Sequence, residues 1–187
     1  MTSETAIDRP TATDIRMRDG RLEIAPHNCF ACGSLNTHGL QLELHAANDV
    51  CWTELVLDAR FEGWAGIAHG GIVCTVLDEV MAWALVEHDL WGVTARMAVE
   101  FKRPLPIGTR VRGEGHVVEA RRRLVTTRGV LFDEARTVLA TAEGLYVGAS
   151  EARKAELKSR YAFRIVPERG ADRLAAEAAV TATGAGR

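Results

Sequence analysis

The chain opens on a polar stretch. Residues 1 to about 22 mix charged and small polar side chains and read as a loosely held leader. A Gly- and Asn-rich loop follows over residues 27–39, HNCFACGSLNTHG. Leu40, Leu42 and Leu44 then alternate with polar residues, the period of a strand. Val50, Trp52, Glu54 and Val56 continue as a second strand beyond a turn at residues 46–49. Residues 61–71, FEGWAGIAHGG, are too rich in glycine for regular structure until the final pair. From Gly71 the period changes. Ile72, Val73, Val76, Leu77, Val80, Met81 and Ala84 recur at helical spacing and predict one long helix to about His88. Four strands are then expected at 94–102, 109–120, 123–132 and 137–148, with Pro104 and Pro106 breaking the chain between the first two and a hairpin turn at 133–136. A short charged helix is expected at 150–159, and a mobile Ala- and Gly-rich tail from Pro167 onward.

A single helix with so much apolar surface has to be covered by something. The economical cover is a long antiparallel sheet curled around it, an α+β arrangement known as the hotdog fold. The expected organisation is a leader over 1–22, one domain over 23–150, and a short helix with a tail over 151–187. At 187 residues the chain is long enough to bury a real core. The balance of 47% hydrophobic and 26% charged residues is that of an ordinary globular protein. A net charge of −2 argues against a nucleic-acid partner. No apolar run reaches the length of a membrane span, and the polar start lacks the apolar core of a signal peptide, so a cytoplasmic location is the expectation. The four cysteines, Cys29, Cys32, Cys51 and Cys74, are accordingly expected as thiols.

The chemistry concentrates in AHGGIVCTVLDE, residues 68–79. Glycines at a helix start let the backbone approach a ligand closely. The first amides of a helix lack intrahelical partners and carry the positive end of the helix dipole. A carbonyl oxygen gaining negative charge would be stabilised there, with Gly71 N–H as the candidate donor and Gly70 beside it. Asp78 lies seven residues further, roughly 10 Å along the helix axis, too far to serve a carbonyl held at its own Gly71. A two-fold axis removes the difficulty, because it brings Asp78 of one copy to the glycine end of another. On a helical wheel Asp78 falls away from the apolar stripe, beside Cys74, Thr75 and Ala82, as at an interface. Taken singly, Gly-Gly is often only a turn, a helical Asp a solvated charge and His69 a structural histidine.

The combination resembles a known family. GIAHGGIVCTVLDEVMAWAL is similar to the signature of the PaaI-like, phenylacetic-acid-degradation branch of hotdog thioesterases, with the carboxylate nine places after the histidine. The flanks CFACGSLNTHGLQLEL and TARMAVEFKRPLPIG extend the resemblance to roughly residues 27–148, towards the mitochondrial thioesterase superfamily members. It implies an acyl-CoA thioesterase acting as a homodimer or tetramer with shared active sites and no cofactor. Gly71 N–H would polarise the thioester carbonyl, and Asp78 would act as general base or nucleophile. His69 would orient the carbonyl or the loop, and the Thr94 hydroxyl would help to place the attacking water. One departure stands out: several relatives carry Asn six positions before the histidine, where this chain has Gly63.

Other signals are weaker. Glu79 points about 100° away from Asp78 and is read as structural. Cys29 and Cys32 have metal-ligand spacing, but a second C-x-x-C is missing, so no metal is assigned. Lys102 and Arg103 are candidates to meet coenzyme A phosphates. Trp64, in the loop before the histidine, is a candidate to line an acyl pocket. Two other functions stay open at this point, a hotdog acyl-CoA hydratase or dehydratase and a module that binds acyl-CoA without turnover.

Overall fold

The computed structural model describes residues 13–17 and 20–166. Its strands are β1 Thr13–Met17, β2 Gly20–Ile24, β3 Leu44–Ala47, β4 Val50–Val56, β5 Glu62–Trp64, β6 Ile67–Ala68, β7 Gly92–Phe101, β8 Arg110–Arg121, β9 Leu124–Asp133, β10 Val138–Gly148 and β11 Arg164–Val166. Two helices complete it, α1 Gly70–Ala84 and α2 Glu151–Arg160. Nine strands form one sheet in the order β11-β2-β1-β3-β4-β8-β9-β10-β7, antiparallel except where β1 runs parallel to β3. Strands β5 and β6 form a separate small hairpin.

Helix α1 packs across the sheet, against β4, β7, β8, β9 and β10. Val76, Leu77, Val80 and Met81 of the helix are fully buried, with Val111, Val125, Leu131 and Tyr146 of the strands. The same helix buries Val80 and Ala84 against a second cluster built from Ile15, Leu22, Ile24, Leu44 and Cys51. Contact is closest where strand residues are glycines. Gly115 and Gly129 lie directly opposite each other on β8 and β9. A Cβ on Gly115 would sit 2.6 Å from the Val80 backbone, and one on Gly129 would sit 3.1 Å from Met81 Cγ. The absence of side chains there lets the helix sink onto the sheet.

The four strands after α1 and helix α2 match the periodicity to within a residue or two; the end of α1 and the short elements differ. The stretch expected as a leader over 1–22 contains β1 and most of β2, and buries Ile15 and Leu22. Two apolar residues per strand are too few to reveal a period among so many polar neighbours. Residues 1–12 lie outside the described residues, as does the tail expected from Pro167. Leu40 and Leu42 precede β3: their amides bond to the carbonyls of Phe30 and Ala31 in the loop, not to a strand. The β3–β4 turn is Asn48-Asp49, both left-handed at φ 55° and 64°, the conformation that matches hairpin twist. Residues 62–68 do form a hairpin despite their glycines. Helix α1 stops at Ala84 instead of continuing to His88; a 3₁₀ turn follows over Val86–His88, ended by left-handed Asp89. The Asp89 carboxylate is held by Lys158 at 2.7 Å and Lys154 at 2.9 Å, which draws its pKa down to about 2 and ties α2 to the 3₁₀ turn after α1.

Gly115→Ala should cost about 1–3 kcal/mol, because the new methyl meets helix backbone that cannot rotate away. Urea denaturation checks this; unchanged stability would mean that β8 can retreat from the helix freely.

Candidate active site

The two ends of α1 carry different chemistry. At the start, His69 is the N-cap, and its Nδ1 accepts the Gly71 N–H at 2.9 Å. The His69 carbonyl accepts the N–H groups of Ile72 at 2.9 Å and Val73 at 3.3 Å. A neutral imidazole that accepts at Nδ1 carries its proton on Nε2. The exposed His69 ring thus offers an N–H donor beside the helix start, while the Gly71 amide is already engaged. Gly63 explains the departure in the loop: a Cβ there would lie 2.9 Å from His69 Cα, so the hairpin closes onto the histidine with no room for a side chain.

Two turns along, Asp78 sits half-buried on one flank of the apolar stripe, where the helix meets β7 and β10. Its Oδ1 accepts the Thr94 hydroxyl at 2.8 Å and the Tyr146 hydroxyl at 2.8 Å. Thr94 and Tyr146 are direct cross-strand partners on β7 and β10, so one register position delivers both donors. The Tyr146 hydroxyl also lies 3.1 Å from the Asp78 carbonyl oxygen. Tyr146 is fully buried, and burial together with the neighbouring Asp78 carboxylate pushes its pKa up, which keeps it a donor. Asp78 Oδ2 accepts no hydrogen bond among the described residues. Sequence reasoning missed Tyr146. A signal did exist, since it shares a strand face with Ala140, Ala142 and Gly144, and a core-facing tyrosine needs a partner for its hydroxyl.

Asp78 and Thr94 thus come together, whereas His69, Gly70 and Gly71 occupy the other end of the helix. At that other end an apolar cavity of about 350 Å³ is lined by Gly70, Val73, Phe101, Leu105 and Leu139, with Lys102 and Arg103 at its edge. Lys102 pairs with Glu100, and Arg103 Nη1 donates to the Val138 carbonyl at 3.3 Å. Trp64 is 83% exposed on β5 and stays outside the cavity lining.

Glu79 points to the opposite flank. Its Oε1 accepts the Trp83 indole N–H at 2.8 Å and lies 4.0 Å from Cys29 Sγ. Burial raises its carboxyl to about 7. Cys29 is held down at about 5, chiefly by the hydrogen bond from Cys32, whose own thiol is pushed up by the same bond and by burial.

Residues 65–144 match the model of the thioesterase superfamily. That segment runs from the loop before His69 to β10 and includes Asp78 and Thr94, but stops short of Tyr146. The crystal structure of a thioesterase superfamily protein is similar at 25% identity and a TM-score of 0.62, over 64% of this chain and 60% of that one. This chain therefore spans less than two thirds of that relative. The Escherichia coli PaaI protein from the phenylacetic acid degradation operon is similar at 15% identity and a TM-score of 0.56, over 59% of this chain and 81% of that one. A hypothetical thioesterase from Streptococcus pneumoniae, solved with coenzyme A, is similar at 14% identity and a TM-score of 0.55, over 58% of this chain and 89% of that one. No curated protein sequence matches the chain. The helix wrapped by a large antiparallel sheet is a hotdog fold. No helix among the described residues is long and apolar enough to cross a membrane.

Tyr146→Phe should cost about 1.5–3 kcal/mol at neutral pH, the worth of a hydrogen bond to a charged acceptor. The same change in an Asp78→Asn background should cost less, because the charge has gone. Equal losses in both backgrounds, measured by urea denaturation, would mean that the hydroxyl serves the Asp78 carbonyl alone.

Proposed function

We propose that the protein is an acyl-CoA thioesterase of the PaaI-like kind, hydrolysing the thioester to a free acid and coenzyme A. The observation that carries this reading is the Asp78 carboxylate, gripped at Oδ1 by Thr94 and Tyr146 and left with Oδ2 to receive a proton. In this mechanism Asp78 Oδ2 takes a proton from water as the oxygen attacks the thioester carbon. The carbonyl oxygen becomes an oxyanion, which the positive end of α1 and the His69 Nε2–H stabilise. Collapse of the tetrahedral intermediate expels the thiolate of coenzyme A. Direct attack by Asp78, through an anhydride that water then opens, uses the same groups. Gly71 N–H joins the oxyanion contacts when the His69 ring shares or releases it.

The separation along α1 makes the proposed site intermolecular, with Asp78 of one copy facing the helix start of another. Strand β7 supports a homodimer, alone or paired into a tetramer. It ends the sheet with β10 as its sole strand partner among the described residues, and exposes Val93 at 72% and Phe101 at 56%. Such an edge favours pairing with a second β7. The apolar cavity beside Gly70 suits the thioester's acyl or pantetheine arm, and Lys102 and Arg103 in its lining would meet the phosphate groups. Two solved variants of the Streptococcus pneumoniae protein carry alanine for an aspartate and for a threonine sixteen positions apart, the separation of Asp78 and Thr94.

Free-thiol release from short, medium, long and aromatic acyl-CoAs tests the proposal. Wild type should turn over at least one class, and Asp78→Asn should lower kcat by about 100-fold or more. Equal rates in both would remove Asp78 from the chemistry. Tight binding without turnover in either would make the protein an acyl-CoA-binding module.

A further inference from the structure

On the flank of α1 away from Asp78, three metal-ligating side chains converge. Cys29 and Cys32 come from the loop after β2, and Glu79 from the middle of the helix. Their ligand atoms all lie within 4.8 Å of one another. The C-x-x-C turn is tight: Gly33 N–H returns to the Cys29 carbonyl at 3.0 Å, and a Cβ on Gly33 would lie 2.4 Å from Cys29 N, so only glycine closes it. Glu79 has no ion pair among the described residues; its partners there are the Trp83 indole and the two thiols. The pocket therefore gathers three groups that each become anionic on losing a proton, set around a common point.

We propose that Cys29, Cys32 and Glu79 bind one divalent cation of the zinc class. Tetrahedral zinc, with Zn–S near ~2.3 Å and Zn–O near ~2.0–2.2 Å, separates its ligand atoms by roughly 3.5–3.8 Å. The 4.0 Å from Cys29 Sγ to Glu79 Oε1 is close to that spacing. Each thiol gives its proton to solvent on binding, and two thiolates with one carboxylate neutralise the dication with one negative charge over. Water takes the fourth position on the partly exposed Cys29 side, since no histidine nitrogen among the described residues joins the three ligand atoms within 4.8 Å. The ion would clip the 29–32 turn to α1 one residue beyond Asp78 and so hold the helix against rotation. This site is independent of the proposed thioesterase activity.

Cobalt(II) and zinc(II) titration of the reduced, metal-stripped full chain tests the site. One Co²⁺ per chain should bind, with thiolate-to-cobalt charge-transfer absorption in the near ultraviolet and displacement by Zn²⁺. Cys29→Ser should weaken the absorption and binding, and Glu79→Gln should keep the absorption while lowering affinity about 10-fold or more. Circular dichroism of each variant shows whether it is folded. No thiolate band in wild type, or a band that Cys29→Ser leaves intact in a folded protein, would overturn the proposal. Unchanged affinity in folded Glu79→Gln would overturn the three-ligand site.

Discussion

The seating of α1 on the glycine positions of β8 and β9 governs the rest of the molecule. Gly115 brings the strand against the helix backbone at Val80, and Gly129 leaves room for Met81. A helix seated that closely cannot turn about its own axis without driving the fully buried Val76, Leu77, Val80 and Met81 out of the core. Its rotation decides what the two carboxylates beside the stripe can meet. Asp78 faces the β7–β10 edge and two hydroxyls, while Glu79 faces the C-x-x-C turn and an indole. Adjacent residues on one helix thus enter unrelated environments because about 100° of arc separates them.

The edge strand ties the proposed chemistry to assembly. Thr94 lies on β7, the strand that leaves the sheet open, and reaches Asp78 beside it. The groups suited to a carbonyl oxygen sit two turns back at the helix start. A protomer therefore holds both halves of the proposed site without joining them, and a second copy across β7 is the simplest way to bring them together.

Much of this was readable in advance where it rested on long periods. The helix from residue 70 and the four strands after it carry enough repeats for apolar spacing to reveal them. Strands β1 and β2 were hidden because Ile15, Leu22 and Ile24 are short signals in polar surroundings. Asp78 stands out by its place on the helix and Thr94 by the resemblance to a family pattern, and the structure brings them into contact. Tyr146 lies 68 residues from Asp78, and only the register of β10 against β7 brings it there. The third group of the cysteine cluster was equally invisible to spacing rules, because Glu79 reaches Cys29 across 50 residues through the docking of the loop on the helix. Helix-end details, such as His69 Nδ1 taking the Gly71 amide, depend on a side-chain rotamer that no pattern encodes.

Subunit complementation tests the intermolecular site most directly. Asp78→Asn and His69→Ala chains, each first shown to be impaired alone, would be unfolded together, refolded as a mixture and assayed on the best acyl-CoA. If Asp78 of one subunit serves the helix start of another, mixed dimers regain one intact site, and random pairing returns about a quarter of wild-type activity. No recovery, with mixed dimers confirmed by mass spectrometry, would contradict a site shared between subunits.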